Sequence, residues 1–303
     1  MKITNPEFQK HIRRLPGIDL RVSVDISNLS TMRLKSIGNI AYVENDVALA
    51  TLLRILREEN ISYKIIGWGA NQILPEDGSK LLYIKIQPPL NPQQYLDGLK
   101  KTYVLPASLG LNNLVAHALK HGLMGWEVLT GIPASVGGAT YMNAGTKFGD
   151  ISQIIKSVSV MDIYGEIRTE QIKSDSYSYR KNRFVALNEV ITQVEVMHHG
   201  IDEINIPNLI RDYLDYRKKT QPLKSNNCGC IFKNPAGKSA GKIIDQLGLK
   251  GLSVGDMRVS TLHGNFLENT GSATATDFWN LVKKIQDVVK SKTGENFELE
   301  IAH

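Results

Sequence analysis

Cys228-Gly229-Cys230 contains both cysteines of the 303-residue chain, one glycine apart. Such a pair could ligate a metal, cycle between dithiol and disulfide, or present a thiol to a substrate. A bridge across so small a loop would strain the narrow geometry that disulfides require. Zinc asks for further cysteine or histidine ligands at regular spacing, and the neighbouring sequence has none. Two small buried hydrophobes are the ordinary alternative, since free cysteine often packs that way. On this stretch alone, packing is the better reading.

Two glycine-rich stretches offer a different chemistry. Gly67-Trp68-Gly69-Ala70-Asn71 follows an apolar, strand-like run. Its glycines let backbone amides approach a phosphate, and Asn71 adds a side-chain donor. It is not the usual dinucleotide fingerprint, because the third glycine is missing and Pro75 interrupts any following helix. The second stretch, GIPASVGGATYMNAG, runs from Gly131 to Gly145. Gly137-Gly138 gives backbone freedom, Pro133 fixes a turn, and Ser135 and Asn143 offer polar contacts. Together the loops suggest a long ligand carrying a pyrophosphate, with structural turns between core elements as the competing explanation.

Regular elements must hold these loops. Leu49, Leu52, Leu53 and Leu56 recur at the helical period behind Asp46, a residue suited to capping. SYKIIG and KLLYIKIQ read as strands, and GLNNLVAHALKHG as a helix stopped at Gly122. VSVMDIYGEIRTEQI reads as two strands around a tight turn at Tyr164-Gly165, and EVITQVEVMHH as a further strand. IPNLIRDYLDYRKKTQP turns helical and ends before Pro222. SAGKIIDQLGLKG is a short helix, and TATDFWNLVKKIQDVVKSKTG has threonine caps, a helical apolar stripe and a terminal Gly294. FELEI closes the chain as a strand. The pattern is α+β, with two lobes before about residue 198 and an α/β lobe after it.

The length suggests about two or three domains, and 42% hydrophobic with 22% charged residues describes a globular chain. The N-terminal segment lacks the apolar run of a secretory signal, and no stretch approaches the length of a membrane span. The expectation is a cytoplasmic protein with no membrane insertion. A net charge of +6 is scattered rather than gathered into an aromatic-lined basic groove. Small anionic ligands explain that pattern as well as nucleic acid does, and charge alone does not decide; no nucleic-acid partner is expected.

Read in order, GWGAN, GLMGWEVLTGIPASVGGATYMNAG, YSYRKNRF, QPLKSNNCGCIFKNPAGKSAGKIIDQLGLKG, HGNFLENTGSATATDF and FELEI resemble the UDP-N-acetylenolpyruvoylglucosamine reductase family. The resemblance runs from about Asn28 to the C-terminus, and the length matches the family's shorter subtype. It implies the FAD-binding fold of vanillyl-alcohol oxidase-type enzymes, two lobes followed by a C-terminal α/β substrate-binding domain. The implied division is 1–95, 96–198 and 199–303. FAD is the implied cofactor and NADPH the co-substrate. The implied reaction reduces the enolpyruvyl ether of UDP-N-acetylglucosamine to UDP-N-acetylmuramate, for peptidoglycan.

Carried onto this sequence, the resemblance places FAD on Gly67, Gly69, Ala70, Asn71, Gln72, Gly131, Ile132, Pro133, Ser135, Gly137 and Gly138. Lys233 and Asn234 fall on the substrate side. Arg180 takes the place of an arginine that offers fixed charge and paired donors to a carboxylate or enolate. Glu300 matches a catalytic glutamate. The family's serine acid, just before FKNP, is here Cys230. A thiol is a stronger acid than an alcohol and is mostly protonated at neutral pH, so Cys230 is expected to donate the proton, with Cys228 a bystander. Ala70 replaces a serine, Ala134 a glycine, and Asn182 a hydroxyl residue. The Cys230 and Asn182 departures motivate an alternative, an FAD-dependent oxidase or dehydrogenase acting on another substrate. A basic binding module without turnover is the third possibility.

Overall fold

The computed structural model describes residues 2–302. Met1 and His303, the outer ends of the three-part division, lie outside the described residues. Contacts group the chain into two compact units. One takes the chain up to Val22, then Asn39–Trp68 and Lys80–Asp215; the other takes Ser23–Gly38, Gly69–Ser79 and everything from Tyr216 onward. Contiguous cuts at 95/96 and 198/199 divide the chain differently. The reason is packing, since Met32, Leu34 and Ile73 are buried in the same core as Ile231, Phe232, Phe278 and Ile285.

The first unit has two cores. In one, the Asp46–Glu58 helix buries Leu49, Leu52, Leu53 and Leu56 with Leu20, Val43, Leu82 and Ile84. Those partners belong to a four-stranded sheet ordered Ile18–Asp25, Ile37–Val43, Asp77–Ile86, Tyr63–Ile65. The helix cap is Asn45, whose Oδ1 accepts from the Ala48 amide at 2.9 Å. Asp46, expected as the cap, is the first helical residue.

The second core lies against an antiparallel sheet ordered Thr102–Pro106, Val190–Met197, Ile155–Met161, Ile167–Gln171. The expected tight turn joins Ile155–Met161 to Ile167–Gln171, with Gly165 at φ 82. The Leu111–His121 helix stops at Gly122, whose left-handed φ of 66 ends the helix where a side chain would be strained.

His117 of that helix is 7% exposed, with Nε2 3.1 Å from the Tyr103 hydroxyl. Burial, then the nearby positive groups of His121 and Lys120, push its pKa below the ordinary histidine value. The unfolded chain therefore takes up this proton first. The stabilisation is complete above the ordinary histidine pKa of about 6.5 and is lost as pH falls toward the folded value. Urea midpoints should drop through that window, and His117→Gln should flatten the slope. An unchanged slope would assign it to His263, which burial also pushes down.

The second unit is built on the Ala275–Thr293 helix. Thr274 and Asp277 form a reciprocal capping box, and Phe278, Leu281, Val282, Ile285 and Val289 line the core. A three-stranded sheet of Ser253–Val254, Met257–Val259 and Leu267–Asn269 joins it, with the Ala240–Gln246 helix. FELEI is not a sheet strand. It is held to the Ile231–Lys233 segment by a single bridge, Leu299 to Phe232. Among the described residues no helix is long and apolar enough to cross a membrane.

Candidate active site

Within the first unit the glycine stretches meet. A Cβ on Gly67 would lie 2.7 Å from Ser135 Oγ, so only glycine lets the first loop approach the second this closely. Ser135 caps the Val136–Met142 helix by accepting from the Gly138 amide. The amides of Val136 and Gly137 are committed inward, to Leu109 O at 2.7 Å and Ala107 O at 2.8 Å. Gly137 is thus a packing glycine, since its Cβ would be 2.6 Å from that of Ala107. Gly131, Pro133 and Gly138 are exposed, and Ile132 is half-buried.

Two polar atoms beside this turn stand out. Ser108 Oγ and Thr140 Oγ1 are buried with no hydrogen-bond partner. A buried hydroxyl left unmatched is costly, so both suit contact with a bound polar group. Sequence reading passed over Ser108. Its only signal is the small-residue run Ala107-Ser108 before a helix.

Arg180 also belongs to this unit. It is half-buried, with a left-handed φ of 57. Its guanidinium donates to Asn143 O at 3.2 Å and Gly145 O at 2.8 Å. Beside it opens a cleft of about 350 Å³, lined by Asp150, Ser152, Tyr177 and Ser178 among others. Asn182, one of the departures from the family pattern, is buried and bonded to backbone rather than turned to solvent.

In the second unit, Gly69 (φ 67) sits so close to Leu29 that a Cβ would lie 1.8 Å from Leu29 O. The Thr31 amide donates to Gly69 O at 3.2 Å, and Ser30 Oγ to Gln72 O at 2.7 Å. In a trans peptide the carbonyl and the next N–H point oppositely. Holding the Gly69 carbonyl inward therefore turns the Ala70 amide away from this packing. Asn71 uses its side chain differently from the phosphate donor expected, as Nδ2 donates to Glu300 O at 3.2 Å.

Cys230 and Glu300 are brought together through backbone. The Glu300 amide donates to Ile231 O at 2.8 Å, and the Lys233 amide to Glu298 O at 2.8 Å. On its other side the Cys230 segment bridges Phe266. Buried Asn265 accepts from the Phe232 amide at 2.9 Å and donates to the Phe232 carbonyl at 2.8 Å. Gly229, at φ 81, turns the chain between two thiols in different surroundings. Cys228 is fully buried, which pushes its pKa up to about 12, whereas Cys230 is half-exposed. Neither is in a disulfide.

Arg217, counted from sequence only among scattered charges, is 7% exposed and lies within electrostatic reach of Cys230. Burial lowers its pKa, and the interaction with Cys230 raises it. Asn234 is exposed, and its Oδ1 accepts from the Ala240 amide at 3.0 Å. Lys233 pairs with Glu298 at 3.1 Å on the surface.

The glycine-lined turn and its unmatched hydroxyls suit a phosphate-bearing cofactor, and comparison with known proteins names its class. A family model described as an FAD binding domain matches residues 38–170, which makes the protein an FAD flavoprotein. A second model, the C-terminal domain of UDP-N-acetylenolpyruvoylglucosamine reductase, matches residues 221–303. The reductase of Myxococcus xanthus is 33% identical over 96% of this chain and 94% of its own length. That of Streptococcus pneumoniae is 31% identical over 97% and 96%. The crystal structure of the Thermus caldophilus reductase aligns with a TM-score of 0.78 at 30% identity, covering 94% of this chain and 98% of the other. The chain belongs to the UDP-N-acetylenolpyruvoylglucosamine reductase family.

Proposed function

We propose that this protein reduces the enolpyruvyl ether of UDP-N-acetylglucosamine to UDP-N-acetylmuramate at the expense of NADPH, in the cytoplasm, for peptidoglycan synthesis. FAD, when bound, relays the reducing equivalent from NADPH to the vinyl terminus. What the chain supplies is placement, charge and a proton. The Gly67 and Gly131–Gly138 stretches, with Ser108 and Thr140, would hold the cofactor.

Reduction at the vinyl terminus places negative charge on the neighbouring carbon and its carboxylate. Arg180 offers that charge a planar fork of donors, and Cys230 supplies the proton to the carbon. Glu300 assists on the paired segment. Lys233 and Asn234 lie on the sugar-nucleotide side, with Asn234 also bracing the turn that leads into the Ala240–Gln246 helix. The observation carrying this reading is the bond from the Glu300 amide to Ile231 O, which fixes glutamate and thiol on neighbouring segments.

The purified protein should be yellow. NADPH should bleach it without oxygen, and the enolpyruvyl sugar nucleotide should then restore the colour. Bleaching without restoration would assign the flavin to another substrate. A colourless protein that resists reconstitution with FAD would sink the reading.

A further inference from the structure

Left-handed backbone in a residue bearing a Cβ persists only where the surroundings fix it. Arg180 is such a residue, with φ 57. Its guanidinium is held by the carbonyls of Asn143 and Gly145, just beyond the Val136–Met142 helix. Two residues along the chain, Asn182 makes a second attachment to the same helix. Its Nδ2 donates to Tyr141 O at 2.7 Å, a carbonyl in the last turn. The last carbonyls of a helix have no partner within it, so this bond fills a real need. At the same time Asn182 Oδ1 accepts from the Val185 amide at 2.9 Å and the Phe184 amide at 3.3 Å.

An amide side chain carries donor and acceptor on separate atoms, so Asn182 grips helix and loop at once. A hydroxyl would have one atom for both tasks and a shorter reach. Further along, Arg168 Nη2 holds the same loop through Phe184 O and Glu189 Oε2, each at 2.8 Å. The helix that receives Asn182 begins at Ser135 and Gly138, against Gly67. One short helix therefore has the cofactor turn at its start and the attachments of Arg180 at its end.

We propose that Asn182 is a positioning residue for Arg180, locking it to the helix that begins at the cofactor turn. The inference rests on Arg180 acting in vinyl reduction. Displacing a reacting group by an ångström can cost about a hundredfold, and losing one of several attachments should cost about a tenth of that. Asn182→Ala should therefore slow single-turnover vinyl reduction by about tenfold while NADPH bleaches the flavin as before. In the cofactor-free protein, hydrogen exchange at the Phe184 and Val185 amides should quicken. In an Arg180→Lys background, Asn182→Ala should add no further slowing, because both changes remove the same placement.

Should Asn182→Ala fail to fold, Asn182→Ser keeps a hydroxyl in the same space. It should show the same two effects, reduced in size. Multiplicative losses in the double variant, or wild-type rate and exchange in the serine variant, would overturn the proposal. If Arg180→Lys alone left vinyl reduction unchanged, the reading of Arg180 would fail first, and with it this coupling.

Discussion

Cys230→Ala should bleach with NADPH like the wild type yet lose roughly a hundredfold or more in the second half-reaction, the usual share of a positioned general acid. Cys230→Ser should remain active, since it restores the family's hydroxyl in nearly the same volume. Cys228→Ala should leave this step almost untouched, because that thiol is fully buried and held protonated, its pKa pushed up to about 12. The sign of the pH dependence follows from the donor's chemistry. A thiolate cannot give a proton, so the wild-type step should slow as pH rises through the Cys230 titration. The serine variant should lack this limb. Single-turnover reoxidation separates the step from NADPH binding. Reoxidation of Cys230→Ala at the wild-type rate would make the thiol mere packing and leave Glu300 or a bound water as the proton source.

The second large effect belongs to Arg180. Lysine keeps the charge but loses the planar fork whose two outer nitrogens reach Asn143 O and Gly145 O. With that geometry gone, Arg180→Lys should slow vinyl reduction by about a hundredfold to a thousandfold, as when one aimed donor is removed from a developing anion. FAD should stay bound, and the NADPH half-reaction should keep its rate. Glu300→Gln should act on the same step. An equal loss in both half-reactions would mark these residues as parts of the scaffold or the cofactor site.

Much of the fold was readable because its signals are local. The Asp46–Glu58, Leu111–His121 and Ala275–Thr293 helices have apolar residues at helical spacing, and the last two stop at a left-handed glycine. The tight turn at Gly165 could be read from Tyr164-Gly165 between two alternating runs. Short or polar elements were harder. The Pro6–Arg13 helix buries only Ile12, so its cap at Asn5 had no apolar stripe to support it. FELEI alternates like a strand but pairs through one bridge, because its partner segment is itself short.

At the candidate site, the glycines were singled out by their spacing, whereas Cys230, Glu300 and Arg180 entered through the family resemblance. Their division of labour was not legible. Asn71 looks like a phosphate donor until its amide is seen on Glu300 O. Gly137 looks like an open amide until Ala107 is seen to take it. Arg217 and Asn265 act across long sequence separations, which no local spacing records.

The turn at Gly229 has a practical meaning for reagents. It leaves one thiol sealed in the core and the other half-exposed, in a chain with no further cysteine. An electrophile that seeks sulfur therefore has one address on this protein. A covalent probe would label a single cysteine, selected by its exposure.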